Sequence, residues 1–253
     1  MQRWHGGFMK LPEMILFDYG QTLVNEQKFD GIKGTEAVLK YAVKNKYNLT
    51  AEQIRHEADI INHELGRFDV SLKYLCQTEI PNTMFTPYLY ESQGIEIPLS
   101  IEEIDKIFWD AASPGVPTDG IESFLIFLRE NKIRTGVISN IAYAQSIVSG
   151  RINTLLPGNG FEFIITSSNY IFRKPHNRIF GLALEKAGLH AESVWYVGDN
   201  YECDIKGAAD AGITPVWYTG ADGNTNTNIV HNDVFTIKKW DELEDRLKEL
   251  AVV

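Results

Sequence analysis

The chain has 253 residues, 44% of them hydrophobic and 11% aromatic, enough for one large domain or for a core that carries a smaller insertion, and this composition excludes disordered and collagen-like classes. Its 24 basic and 34 acidic residues leave a formal charge of -10 with no basic block, so nucleic acid is excluded as an expected partner. The two cysteines, Cys76 and Cys203, lie far apart and fit neither a disulfide framework nor a cysteine-rich zinc site, which suits a reducing compartment.

Met1 to Pro12 includes Arg3, Trp4, His5 and Lys10 and no apolar run of signal-peptide length, and no stretch of about 18 apolar residues occurs further on. The expectation is a cytoplasmic protein with no membrane partner. The run Glu13 to Asp18 is short, apolar and ended by a carboxylate, as in a buried parallel strand whose last residue emerges at the C-terminal edge of the sheet. That edge is where open α/β sheets bind ligands.

From 33 to 111 the periodicity is helical. Thr50 and Gln53 form a capping box ahead of Ile54, Ala58, Ile61 and Leu65, so Asn48-Leu49-Thr50 reads as a helix start and not as a glycan site. Ser100 and Glu103 form a second box ahead of Ile104, Ile107, Phe108 and Ala111. Pro114-Gly115-Val116-Pro117 interrupts regular structure and reads as a return hinge, after which a helix resumes over Ile121 to Asn131. Further strands are predicted at Arg134 to Ser139, Phe161 to Thr166, Val194 to Val197 and Thr214 to Tyr218, separated by helix-length segments. The pattern predicts a doubly wound parallel α/β core of residues 1–24 and 118–253, with a helical insertion over 25–117. Gly220 to Asn226 reads as an exposed loop, and Val234 to Ile237 with a charged helix through Leu250 closes the sheet edge.

Four places carry chemistry. Asp18, at a strand end before the turn Gly20 to Thr22, can attack an electrophile, bind a cation or cap the next helix. Ser139 and Asn140 end another strand, where a hydroxyl beside helix-start amides can donate to a phosphate oxygen or serve as an ordinary cap. Lys174-Pro175 sets the direction of an ammonium, because proline restricts the backbone on both sides of the bond. Asp199 and Asp204 follow Val197-Gly198 on one loop and suit a hard cation that prefers oxygen ligands, such as magnesium. There is no Walker loop or G-x-G-x-x-G, so phosphate chemistry uses another device. His56-Glu57 and His63-Glu64 lack metal-ligand spacing and read as a solvated helix edge.

In that order, Phe17-Asp18-Tyr19-Gly20-Gln21-Thr22-Leu23, Ile138-Ser139-Asn140, Arg173-Lys174-Pro175 and Gly198-Asp199-Asn200 to Asp204 resemble the four motifs of the haloacid dehalogenase-like hydrolase superfamily. The resemblance spans nearly the whole chain, and the insertion resembles that family's class I helical cap. It implies a magnesium-dependent phosphatase of a small phosphorylated metabolite. Asp18 would be the nucleophile that becomes phosphorylated, and Ser139 and Lys174 would hold the phosphoryl group, with Asn140 and Gln21 beside the substrate. Asp18, the Gly20 carbonyl and Asp199 would bind Mg2+, supported by Asp204 and Asn200. Oligomeric state is not indicated.

One position departs from the pattern. The family's phosphatases place a second aspartate two residues after the nucleophile, where it protonates the leaving group; here that residue is Gly20. Such help is worth roughly 10² to 10⁴-fold in rate. Four outcomes follow: a phosphatase whose leaving group needs little protonation, or whose acid comes from the insertion, with Glu26 and Asp30 as candidates; a phosphonate hydrolase with a Schiff-base lysine among Lys33, Lys40, Lys44, Lys46 and Lys73; a dehalogenase, which would have no use for the Asp199 to Asp204 loop; or a metal- and phosphate-binding protein without turnover.

Overall fold

The computed structural model describes residues 3–4, 7–8, 10–67, 77–221 and 234–252; Lys73, Cys76 and the expected polar loop beyond Ala221 lie outside the described residues. Six strands, β1 (Met14–Phe17), β2 (Arg134–Ser139), β3 (Ile164–Thr166), β4 (Val194–Gly198), β5 (Thr214–Tyr218) and β6 (Phe235–Ile237), form one sheet. Their order is β6-β5-β4-β1-β2-β3, and every neighbouring pair is parallel. The longer helices are α1 (Gly31–Leu39), α2 (Ala51–Glu64), α3 (Asn82–Ser92), α4 (Ile101–Ala112), α5 (Ile121–Glu130), α6 (Gln145–Leu155), α7 (Asn177–Ala187) and α8 (Trp240–Ala251).

The unbroken apolar run of β1 is explained by burial on both faces, with period-two side chains divided between two clusters. Ile15 and Phe17 pack with Trp195, Val197, Phe124, Val148 and Trp240, so α5, α6 and α8 cover one face. Met14 and Leu16 pack with Val194, Tyr196, Ile179 and Phe180, so α7 covers the other. The chain runs from β1 outward to β2 and β3, then crosses to β4, β5 and β6, which is the doubly wound arrangement expected.

Between the first two sheet strands, α1 to α4 surround a separate apolar cluster that includes Val38, Ile54, Ala58, Leu89, Tyr90 and Ile104. Both capping boxes form: the Thr50 and Ser100 side chains accept from the amides of Gln53 and Glu103, whose side chains accept in return. Three local expectations change. Helix α2 ends at Glu64, and Leu65 is exposed because Gly66, at φ 61°, turns the chain away. In α4 the buried face is Ile104, Asp105, Trp109 and Ala112, leaving Ile107 and Phe108 half-buried. Gly115–Pro117 is not irregular: it pairs antiparallel with Val24–Glu26, Glu26 lying opposite Gly115. A two-stranded ladder tolerates Pro117 because it closes the strand and pairs on one side only. No helix among the described residues is long and apolar enough to cross a membrane.

Asp105 is 2% exposed in α4. Its Oδ1 accepts from Thr86 Oγ1 at 3.0 Å and Asn82 Nδ2 at 3.3 Å, while its Oδ2 has no partner. Burial pushes this carboxyl up to about 7. A raised folded-state value means that the proton is held more tightly in the folded chain, so the associated stability is complete at low pH and is lost as pH rises through about 7. The melting temperature of the wild type is therefore expected to fall more between pH 5 and pH 8.5 than that of Asp105→Asn. Parallel curves in a thermal denaturation series would contradict this account.

Candidate active site

Phe17, the last residue of β1, lies opposite both Val137 and Val197, so the ends of β1, β2 and β4 fall within two residues of one another. The residues that follow or finish them, Asp18, Ser139 and Asp199, therefore meet at the C-terminal sheet edge, where the direction of winding reverses. The Asp18 amide donates to the Val197 carbonyl at 2.9 Å and locks the nucleophile candidate onto β4.

Lys174 reaches this edge on the loop that follows β3. Asn140 holds it by a two-way amide clamp, its Oδ1 accepting from the Lys174 amide at 2.7 Å and its Nδ2 donating to the Lys174 carbonyl at 2.8 Å. The ammonium then has three acceptors for its three protons: Asp18 Oδ1 at 2.6 Å, Asp204 Oδ1 at 2.6 Å and the Tyr196 hydroxyl at 2.7 Å. Tyr196 rises from β4 and also contacts the Ile138 carbonyl at 3.1 Å and Asp204 Oδ1 at 3.2 Å. Asp204 Oδ2 accepts from the Asn200 amide at 2.9 Å, and Asn200 Oδ1 accepts from the Cys203 amide, capping the π-helical segment Tyr201–Lys206. Gly198 is required here: a Cβ would stand 2.4 Å from Asp204 Cγ.

Asp18, Asp199 and Asp204 offer carboxylate oxygens within 4.8 Å of one another, so this cluster could hold a metal ion. Every donor is oxygen, which fits a hard dication better than a thiophilic metal. Asp204 has both oxygens engaged by protein donors, so Asp18 and Asp199 are the carboxylates best placed to face a cation. Burial pushes Asp18 up to about 6; Lys174 opposes that rise and Asp204 adds to it. Burial, with the charges of Asp18 and Asp204, pushes Asp199 up to about 8. Burial alone would lower Lys174, but Asp18 and Asp204 outweigh it and hold the ammonium well above its usual range. The site is enclosed, with Asp18 9% exposed and Ser139 and Lys174 each 3%. A cavity of about 740 Å³ between α4 and α6, lined by Trp109, Ile147 and Arg151, includes none of these residues.

The other sequence-predicted residues divide. Gln21 takes a positive φ of 53° and turns its Nε2 to the Glu26 carbonyl at 2.8 Å, so it supports the turn after Asp18. Asn140 holds Lys174, as described above. Asp30 caps α1 by accepting from the Lys33 amide. Glu26 stands close to Gly20: its Oε2 lies 3.3 Å from the place that a Cβ on residue 20 would occupy. Its Oε1 accepts from Trp109 Nε1 at 2.9 Å and lies 3.6 Å from Arg151 Nη2. Burial pushes the Glu26 carboxyl up to about 7 against the pull of Arg151 and Trp109.

Two residues escaped the sequence reading. The hydroxyl of Tyr196 on a mostly apolar strand is a signal in the sequence, but its contact with Lys174 leaves none. Glu79, 6% exposed, accepts from Arg67 at 3.1 Å, from Ser167 Oγ at 2.7 Å and from Arg173, and so ties residues 77–80 to the loop that carries Lys174. No periodicity marks it.

A family model described as haloacid dehalogenase-like hydrolase matches residues 12–212. The chain is 26% identical to a glyceraldehyde 3-phosphate phosphatase of Methanocaldococcus jannaschii, over 93% of this chain and 97% of the relative. It is 27% identical to the pyrimidine 5'-nucleotidase YjjG of Escherichia coli, with the same two coverages. Among solved structures it is similar to a HAD phosphatase from Thermococcus onnurineus, with a TM-score of 0.61 and 18% identity, covering 92% of this chain and 97% of that one; this likeness concerns the fold.

A cation that binds only the folded chain at a hundredfold excess over its Kd adds about 2.7 kcal/mol of stability. Magnesium is therefore expected to raise the melting temperature by several degrees relative to EDTA, and Asp199→Asn to reduce that gain. Equal melting curves with and without magnesium would speak against the carboxylate cluster as a cation site.

Proposed function

We infer that this chain, which belongs to the haloacid dehalogenase-like hydrolase family, is a magnesium-dependent phosphatase of small phosphorylated metabolites that acts through a phosphorylated Asp18. The observation that carries the reading is the convergence of Asp18, Lys174, Asp199 and Asp204 on one sheet edge, with the ammonium already bonded to the nucleophile. Phosphoryl transfer asks for in-line positioning and neutralised oxygen charge more than for covalent chemistry from the protein. Asp18 attacks phosphorus, Lys174 draws charge from the phosphoryl oxygens and Ser139 donates its hydroxyl to them. Asn140 and Tyr196 keep the ammonium aimed while charge moves, since a preorganised donor needs no reorganisation as the reaction proceeds. Asp18, the Gly20 carbonyl and Asp199 would hold the magnesium ion, with Asp204 and Asn200 supporting their loop; when bound, the ion neutralises phosphoryl oxygen charge.

The helical segment 25–117 is read as a cap on a core of residues 1–24 and 118–253, joined through the Val24–Glu26 and Gly115–Pro117 ladder. The low exposure of Asp18, Ser139 and Lys174 is in keeping with a cap that opens for substrate, and the two ladder strands are the expected hinges. Among the described residues phosphonate cleavage finds no support, because Lys33, Lys40, Lys44 and Lys46 all stand exposed to solvent; Lys73 lies outside them. The names of the two relatives, a glyceraldehyde 3-phosphate phosphatase and a pyrimidine 5'-nucleotidase, agree with small phosphate monoesters as substrates.

The test is phosphate release from a panel of monoesters, with magnesium or EDTA. Magnesium-dependent turnover is expected, and Asp18→Asn should lower it by at least about 10³-fold while its circular dichroism spectrum stays unchanged, since a removed nucleophile leaves only binding and charge stabilisation. Activity of Asp18→Asn close to that of the wild type would overturn the assignment.

A further inference from the structure

Transfer of a phosphoryl group to Asp18 expels an oxygen that needs a proton when it belongs to an alkyl ester, and Gly20, the residue two beyond Asp18, has no side chain to give one. The chain returns to the same place six residues later. Gln21 and Val24 close the turn through the Gln21 amide and the Val24 carbonyl at 2.8 Å, the Gln21 side chain holds the Glu26 carbonyl, and Glu26 enters the ladder opposite Gly115. Its Oε2 ends 3.3 Å from where a side chain on residue 20 would begin, so the Glu26 carboxyl comes to the space above Gly20 from the opposite wall.

We propose that Glu26 is the catalytic acid and base of this site, doing from the inserted segment what no group on Gly20 can do. The inference rests on the phosphatase reading above. One oxygen of the carboxyl is anchored and the other is not: Oε1 takes the Trp109 indole and faces Arg151, whereas Oε2 makes no hydrogen bond among the described residues. The side chain is 18% exposed, enough for a ligand to meet it. Asp110, which shares Arg151 with Glu26, has its oxygens on Arg151 and Lys106, and within the inserted segment Asp30 caps α1 and Glu79 is held by Arg67 and Ser167.

In the first half-reaction the Asp18–phosphorus bond forms and the ester P–O bond breaks. The electron pair stays on the departing oxygen, and the proton on Glu26 Oε2 passes to it to give the alcohol. In the second, water attacks phosphorus, its proton returns to Glu26, the Asp18–phosphorus bond breaks with its electron pair left on the carboxylate, and inorganic phosphate departs. Trp109 belongs to α4 and Arg151 to α6, so Glu26 is aimed only while the inserted helices sit against the core.

The experiment is steady-state phosphate release, with magnesium, from monoesters running from nitrophenyl phosphate to simple alkyl phosphates. Glu26→Gln is expected to lose about 10²-fold or more on the alkyl esters and at least tenfold less than that on nitrophenyl phosphate, so the rate depends more steeply on leaving-group acidity. Adding Gly20→Asp to Glu26→Gln should recover part of the alkyl-ester rate. Circular dichroism checks folding; should Glu26→Gln be unfolded, Glu26→Asp, which keeps the charge but withdraws the carboxyl by one methylene, is read by the same slope. An equal loss on every ester, or no loss, overturns the role of Glu26 while Asp18-dependent turnover leaves the phosphatase reading standing. Absence of wild-type turnover on the whole panel overturns both.

Discussion

The buried ammonium of Lys174 is the constraint around which this site is built. Three carboxylates within 4.8 Å of one another could not share a nearly dry sheet edge without a positive partner, because each ion taken out of water costs several kcal/mol unless it is paired and hydrogen-bonded. Lys174 meets that demand for Asp18 and Asp204 with two of its protons and gives the third to the Tyr196 hydroxyl, and the remaining structure serves to bring it there. The parallel register of β1 and β4 gathers the acids, the Asn140 clamp fixes the lysine backbone and Tyr196 braces its head. One ammonium against three carboxylates still leaves an excess of negative charge, the condition in which a hard dication with oxygen ligands is favoured.

The same arrangement sets Lys174 apart from the rest of a chain of net charge -10. The overall field is negative, so any positive potential at this edge is local and comes from an ammonium in surroundings where charges are weakly screened. Glu26, on the strand that leaves the core, is gripped by Trp109 of α4 and faces Arg151 of α6, so contacts from both sides hold its carboxyl beside Gly20.

Much of this was legible along the chain because it depends on short stretches of sequence. A buried strand that ends in Asp18, a strand that ends in Ser139, Lys174 before proline and the pair Asp199 and Asp204 each announce a sheet-edge loop, and their order makes the combination specific. Capping boxes at Thr50 and Ser100 are local too, since donor and acceptor lie three residues apart. Asn140 and Gln21 read as ligand contacts because a polar side chain at a strand end or after a nucleophile has no visible partner in sequence; their partners are main-chain groups of Lys174 and Glu26. Glu79 is silent in sequence for the same reason, as its partner Ser167 lies 88 positions away.

Sequence by itself thus determined the alternation of strand and helix, the helical insertion and the four motifs, and with them the family, because hydrophobic period and residue type at strand ends are properties of neighbouring residues. Tertiary structure decided which charges meet. It placed Lys174 between Asp18 and Asp204, turned Pro114 to Pro117 from an expected break into a ladder, and set Glu26 above Gly20. Those outcomes follow from parallel register and from packing between α4 and α6, which join residues far apart in the chain and leave no periodic trace.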